Sequence, residues 1–82
     1  MARVRVRLFA AFREAAGRPS VDLDLDEGAT VASLRAALAR EVPALAAAGG
    51  ALVVALDGEF VGDGARVGRG ADVAVFPPVA GG

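Results

Sequence analysis

The sequence has 82 residues, 55% of them hydrophobic, and a formal net charge of −1, which suits one domain with one thin core. It has no cysteine and no histidine, which removes disulfides, thiolate chemistry, cysteine metal sites, the commonest general base and the commonest metal ligand, so no bound metal is expected. It has no Trp or Tyr, no basic block and no apolar run of spanning length, so neither nucleic acid nor a membrane is an expected partner and the cytoplasm is the expected location.

Residues 3–10 predict a strand, with Val4, Val6, Leu8 and Ala10 on one face and Arg3, Arg5, Arg7 and Phe9 on the other. This Arg-Val alternation lacks the continuous apolar stretch of a signal peptide. Phe9 falls on the Arg face, where an aromatic ring should be half exposed or covered by a partner. Residues 11–16 suggest a short helical turn, broken by Gly17-Arg18-Pro19. In residues 20–26, Val21, Leu23 and Leu25 point inward and Asp22, Asp24 and Asp26 point to water. Paired antiparallel, the Arg and Asp rows oppose each other, which favours that register and explains Arg3, Arg5 and Arg7 without an acidic partner.

Glu27-Gly28-Ala29 reads as a turn, and Thr30 as the N-cap of a helix running to about Val42. Val31, Leu34, Leu38 and Val42 form its buried stripe, with Ala37 beside it and Arg35, Arg40 and Glu41 off it. Ser33 stands where a reciprocal capping box would have Glu or Gln. Pro43 ends the helix, and residues 44–48 fit one further turn before a Gly49-Gly50 loop. Residues 52–56 predict a short apolar strand, Asp57-Gly58 a tight turn, and residues 59–61 a brief return strand. A glycine-punctuated connection from Gly62 to Gly70 leads to a last strand at residues 72–76. Pro77-Pro78 must leave the sheet, since proline cannot donate to it.

The order strand, strand, helix, strand, short strand, strand predicts an α+β fold, the ubiquitin-like β-grasp, with one main helix packed across a mixed sheet. In that fold the last strand lies mid-sheet, parallel to the first, and the apolar run Val73-Ala74-Val75-Phe76 suits a buried place there. The expected organisation is a domain over residues 1–76 and a flexible tail over residues 77–82.

Val79-Ala80-Gly81-Gly82 closes the sequence. A Gly-Gly end has no β-carbons, so it can thread a narrow channel in another protein. Its carboxylate is ionised at neutral pH and is a poor electrophile, so chemistry on it needs activation, for example by ATP to an acyl-adenylate. Glycines are common at chain ends. What gives these two weight is their final position, the Pro77-Pro78 that sets the tail's direction, and the strand before it.

The ending Phe76-Pro77-Pro78-Val79-Ala80-Gly81-Gly82 resembles that of the small subunit of molybdopterin synthase, the MoaD-type sulfur carriers of the MoaD/ThiS ubiquitin-like family. Leu8-Phe9-Ala10-Ala11-Phe12-Arg13-Glu14-Ala15-Ala16-Gly17 is similar to that family's first strand and turn. Thr30-Val31 with Leu34, and Leu56-Asp57-Gly58-Glu59, fall where it places its helix start and central hairpin. Many relatives have Asn where this chain has Asp57, a turn position that Asp also tolerates. The absence of Lys also departs from most relatives, so no lysine contact carries over.

The resemblance implies that an E1-like adenylyltransferase uses ATP to adenylate Gly82 and that a sulfur donor protein converts it to a thiocarboxylate. The large subunit of molybdopterin synthase then receives the tail, and sulfur passes to cyclic pyranopterin monophosphate, two loaded carriers making one dithiolene. Gly81 gives clearance, Phe76, Pro77, Pro78, Val79 and Ala80 guide the tail, and the catalytic side chains belong to the partner. No cofactor bound to this chain and no independent catalysis are expected. From the sheet pattern, Phe9, Phe60 and Phe76 are candidates for an exposed docking patch at the tail's root, the alternative being that all three are core, since four Phe are few for a domain of this size. The alternatives are a related carrier serving cysteine, thiazole or thiolated-tRNA synthesis, and a non-catalytic β-grasp binding module. Asp22, Asp24 and Asp26 are too spread along one strand for a compact cation cage. Gly62-Asp63-Gly64 and Gly68-Arg69-Gly70 lead into no helix and read as turns.

Overall fold

The computed structural model describes residues 2–46 and 52–77. The elements are β1 (Ala2–Leu8), α1 (Ala11–Ala16), β2 (Ser20–Leu25), α2 (Val31–Glu41), α3 (Pro43–Ala46), β3 (Val53–Leu56), β4 (Glu59–Val61) and β5 (Val73–Phe76). One five-stranded sheet takes the order β2-β1-β5-β3-β4. The last strand lies in the middle, parallel to β1 and antiparallel to β3, as the ubiquitin-like β-grasp requires.

Alternation in sequence becomes two faces in space. Val4 and Val6 of β1 stand opposite Leu23 and Val21 of β2, and all four are buried. Val6 and Leu8 stand beside Val73 and Val75 of β5, again all buried. The stripe Val31, Leu34, Leu38 and Val42 of α2 covers this face and completes the core. Leu34 is fully buried at 0% exposure, so truncation to Ala would cost about 2–5 kcal/mol.

The helix begins as its chemistry directs. Thr30 has extended backbone, and its Oγ1 accepts the Ser33 N–H at 3.4 Å, satisfying one orphan donor of the first turn. The Val42 N–H donates to the Leu38 carbonyl at 2.8 Å, and Pro43 then opens α3. Asp57 and Gly58 both have positive φ, 50° and 86°, as a two-residue hairpin turn between β3 and β4 demands.

Four details differ from the expectations. The first strand stops at Leu8, and Ala10 is exposed in a turn, because the Phe12 N–H donates to the Phe9 carbonyl at 3.1 Å and turns the chain into α1. That turn buries Phe12, which makes α1 a contributor to the core. The ion pairs Arg3–Asp24 and Arg5–Asp22 form as the register requires, but Arg7 lies opposite Ser20. Arg7 reaches instead to Asp72, the residue just before β5, at 2.9 Å. The further turn expected at residues 44–48 is α3, Pro43–Ala46, and the rest of that span lies outside the described residues.

Candidate functional site

The sheet face away from α2 divides into two halves. Over β1 and β2 it is charged, with Arg3 and Arg5 against Asp24 and Asp22. Over β5, β3 and β4 it is apolar. Ala74 lies opposite Ala55, which lies opposite Phe60, while Phe76 lies opposite Val53. In-register partners share a face, so Ala74, Ala55, Phe60, Phe76 and Val53 stand on one surface.

The structure brings three of the sequence-selected residues together there. Phe9 and Phe76 stack with centroids 4.7 Å apart and planes 12° from parallel. Phe60 meets Phe76 edge-on, at 5.9 Å and 81°. Both are favoured aromatic geometries. Phe60 is 74% exposed, the large apolar side chain left open to solvent among the described residues. Phe9 and Phe76 are half-buried. Ala55 and Ala74 are 6% and 4% exposed although they face away from the helix, so they form a flat floor beneath the rings.

Three further residues belong to this site and were not singled out by sequence. The Arg7 guanidinium lies 5.5 Å from the Phe9 ring centroid, a cation–π distance, while pairing with Asp72. The Asp72 N–H donates to Asp57 Oδ1 at 2.9 Å, and the Asp57 N–H to the Asp72 carbonyl at 2.8 Å. Thus the β3–β4 turn, the start of β5 and the end of β1 are tied along one rim of the aromatic cluster. The sequence carried no signal for this, since three Asp are available to three Arg, and the observed register alone sets Arg7 opposite Ser20.

Pro77 is half-buried and follows Phe76 directly at the end of β5. The apolar surface therefore lies at the point where the chain leaves the sheet. Pro78, Val79, Ala80, Gly81 and Gly82 lie outside the described residues. Among the described residues no group of three or more acidic side chains is placed to hold a metal ion, and no helix is long and apolar enough to cross a membrane.

Comparison with known proteins identifies the setting of this site. The molybdopterin synthase sulfur carrier subunit of Arabidopsis thaliana is 33% identical over 79 residues, covering 96% of this chain and 82% of that protein. The crystal structure of small archaeal modifier protein 1 from Haloferax volcanii aligns with a TM-score of 0.87 at 32% identity, covering 96% of this chain and 100% of that one. A chain in the complex of subunits 1 and 2 of the molybdopterin-converting factor from Helicobacter pylori has the same fold, with a TM-score of 0.67 at 22% identity and coverage of 98% and 99%. Residues 6–82 match the ThiS family, and with its β-grasp fold the chain belongs to that family.

Proposed function

We propose that this chain is the sulfur carrier subunit of a molybdopterin synthase, with Gly82 as the residue that carries sulfur. The observation that carries the reading is the likeness to the Arabidopsis sulfur carrier subunit along nearly the whole chain. The family match extends through Gly82, and the aromatic surface sits where the chain leaves β5 towards that residue. The absence of His, Cys and Lys is in keeping with a protein whose chemistry is done on its terminus by others.

In this reading residues 1–76 are the body and residues 77–82 a flexible tail. The Gly82 carboxylate attacks the α-phosphorus of ATP on an E1-like adenylyltransferase, and pyrophosphate leaves. A sulfur donor protein then supplies sulfur to the acyl carbon, AMP leaves, and a thiocarboxylate remains. Phe9, Phe60 and Phe76 dock on the large subunit, Pro77, Pro78, Val79 and Ala80 direct the tail, and Gly81 passes its channel without a β-carbon. Sulfur goes to cyclic pyranopterin monophosphate, water restores the carboxylate, and two carriers serve each dithiolene. All of these steps are cytoplasmic.

Reconstitution tests this. Thiocarboxylated chain, large subunit and pyranopterin should yield molybdopterin with two carriers consumed per product. No product from a fully loaded carrier would overturn the assignment. The name of the Haloferax neighbour supports a second reading, in which an amine of a target protein attacks the Gly82 adenylate and the chain becomes a protein modifier. Covalent adducts of the chain in cells would then replace the thiocarboxylate as the main product.

A further inference from the structure

We propose that the free edge of β2 accepts an added strand from a partner protein, an extended segment in which basic residues alternate with small or β-branched apolar ones. This does not rest on the sulfur-carrier reading. β2 ends the sheet, with β1 its single neighbour. The Leu8 N–H donates to the Pro19 carbonyl at 2.8 Å, which fixes the phase of the ladder. Antiparallel pairs alternate, so Val21 and Leu23 direct their backbone groups to β1, while Ser20, Asp22 and Asp24 direct theirs away from the sheet. Among the described residues none of these outward groups has a backbone partner.

The two sides of this edge differ, and the difference specifies the occupant. On the open face, Asp22 and Asp24 each use Oδ1 for an Arg Nε, at 3.2 and 3.3 Å, and leave Oδ2 to solvent. Their side chains are 40% and 54% exposed. Asp26 continues the row one step past the strand, where the register supplies no arginine. At the end of β2 a cleft of about 580 Å³ lies against α2, lined by Leu25, Ala29, Ala36 and Ala37 together with the polar Asp24, Asp26, Glu27, Thr30, Ser33 and Arg40. The three alanines leave room for a valine-sized group, and Asp26 and Glu27 in the lining extend the acidic character of this edge. A strand laid along β2 sends alternate side chains to the Asp row and into the cleft. β1 meets the same row with Arg3 and Arg5 from the inner side. Main-chain bonds supply the affinity in such strand addition, and the alternating side chains supply the choice of partner.

The occupant is a different protein. A second β2 would set Asp against Asp, like charges directly opposite, which is destabilising. A second β1 is enclosed in its own sheet between β2 and β5. The β2 edge lies across the sheet from β4 and Phe60, so a protein held there leaves the aromatic surface free. Another protein can thus hold this chain while its docking face is in use.

The test titrates the full ¹⁵N-labelled chain with a blocked Arg-Val-Arg-Val-Arg-Val peptide. Amides of Asp22 and Asp24 should shift and exchange more slowly with solvent, and the order-scrambled peptide Arg-Arg-Arg-Val-Val-Val should bind several-fold more weakly. Asp22→Asn and Asp24→Asn should each lower affinity about two- to five-fold, the range for one opposed charge pair. Asp22→Pro removes an outward N–H while sparing the ladder to β1, and should abolish binding. Equal binding of the two peptides, shifts centred on Phe60 and Phe76, or no binding at millimolar peptide would each overturn the proposal.

Discussion

Phe9 and Phe76 stack across two parallel strands that lie 60-odd positions apart in sequence, their centroids separated by 4.7 Å. The contact follows from register. Leu8 pairs with Val75, so Phe9, just past the end of β1, and Phe76, the last residue of β5, come side by side on the open face. Arg7 adds a guanidinium at 5.5 Å from Phe9, and its partner Asp72 fixes where that guanidinium stands. The outcome is an aromatic surface braced from one side and floored by Ala55 and Ala74.

This bracing separates docking from folding. Phe60→Ala removes a ring that is 74% exposed, so stability should change by no more than about 0.5 kcal/mol. Affinity for the large subunit should fall by about 1 kcal/mol or more, as for an anchor residue. Phe12→Ala is the control, since a buried Phe should cost about 3–5 kcal/mol of stability. A double-mutant cycle on Phe9 and Phe76 should show about 0.5–1.5 kcal/mol of coupling in chemical denaturation. Loss of the fold in Phe60→Ala, or unchanged docking, would remove Phe60 from the interface.

Ala10 carries backbone strain. Its φ of 52° and ψ of −130° place it at the first central position of the turn Phe9-Ala10-Ala11-Phe12, where glycine is the usual occupant. Such geometry costs an L-residue of order 1–3 kcal/mol, against roughly 0.5–1 kcal/mol for the extra chain entropy of glycine. Ala10→Gly should therefore raise stability, by about 1 kcal/mol, in a urea titration with unchanged m-value. A lower midpoint would show that the turn is unstrained.

Gly81→Ile should leave Tm nearly unchanged, because the core is built from residues between Val4 and Val75. Sulfur transfer to the pterin should fall steeply, since a β-branched side chain would enter the partner's channel. Equal transfer rates for variant and parent would show that the channel has no need of glycine.

Much of this architecture is written in side-chain period. The Arg-Val and Asp-Leu alternations define β1, β2 and which faces meet, though not the exact register, and the Val31, Leu34, Leu38, Val42 spacing defines the covering face of α2. The aromatic cluster was legible in its members, because Phe9, Phe60 and Phe76 all fall within the predicted strands, although β1 itself stops one residue short of Phe9. Its floor was not. Ala55 and Ala74 acquire meaning when β5 inserts beside β3, a long-range pairing that local pattern does not encode. The same holds for Arg7, whose partner Asp72 directly precedes a strand brought beside β1 by the tertiary fold. The early end of β1 reflects competition between alternation, which extends to Ala10, and the turn that seats Phe12 in the core.

Intact-mass spectrometry reads whether Gly82 bears the sulfur. The chain is incubated with ATP, an E1-like adenylyltransferase and a sulfur donor. The expected result is a mass gain equal to one oxygen exchanged for sulfur, located in the C-terminal peptide and lost when Gly82 is deleted or followed by an added residue. A chain that stays at its original mass under conditions that load a known carrier, or a gain that survives deletion of Gly82, would contradict it.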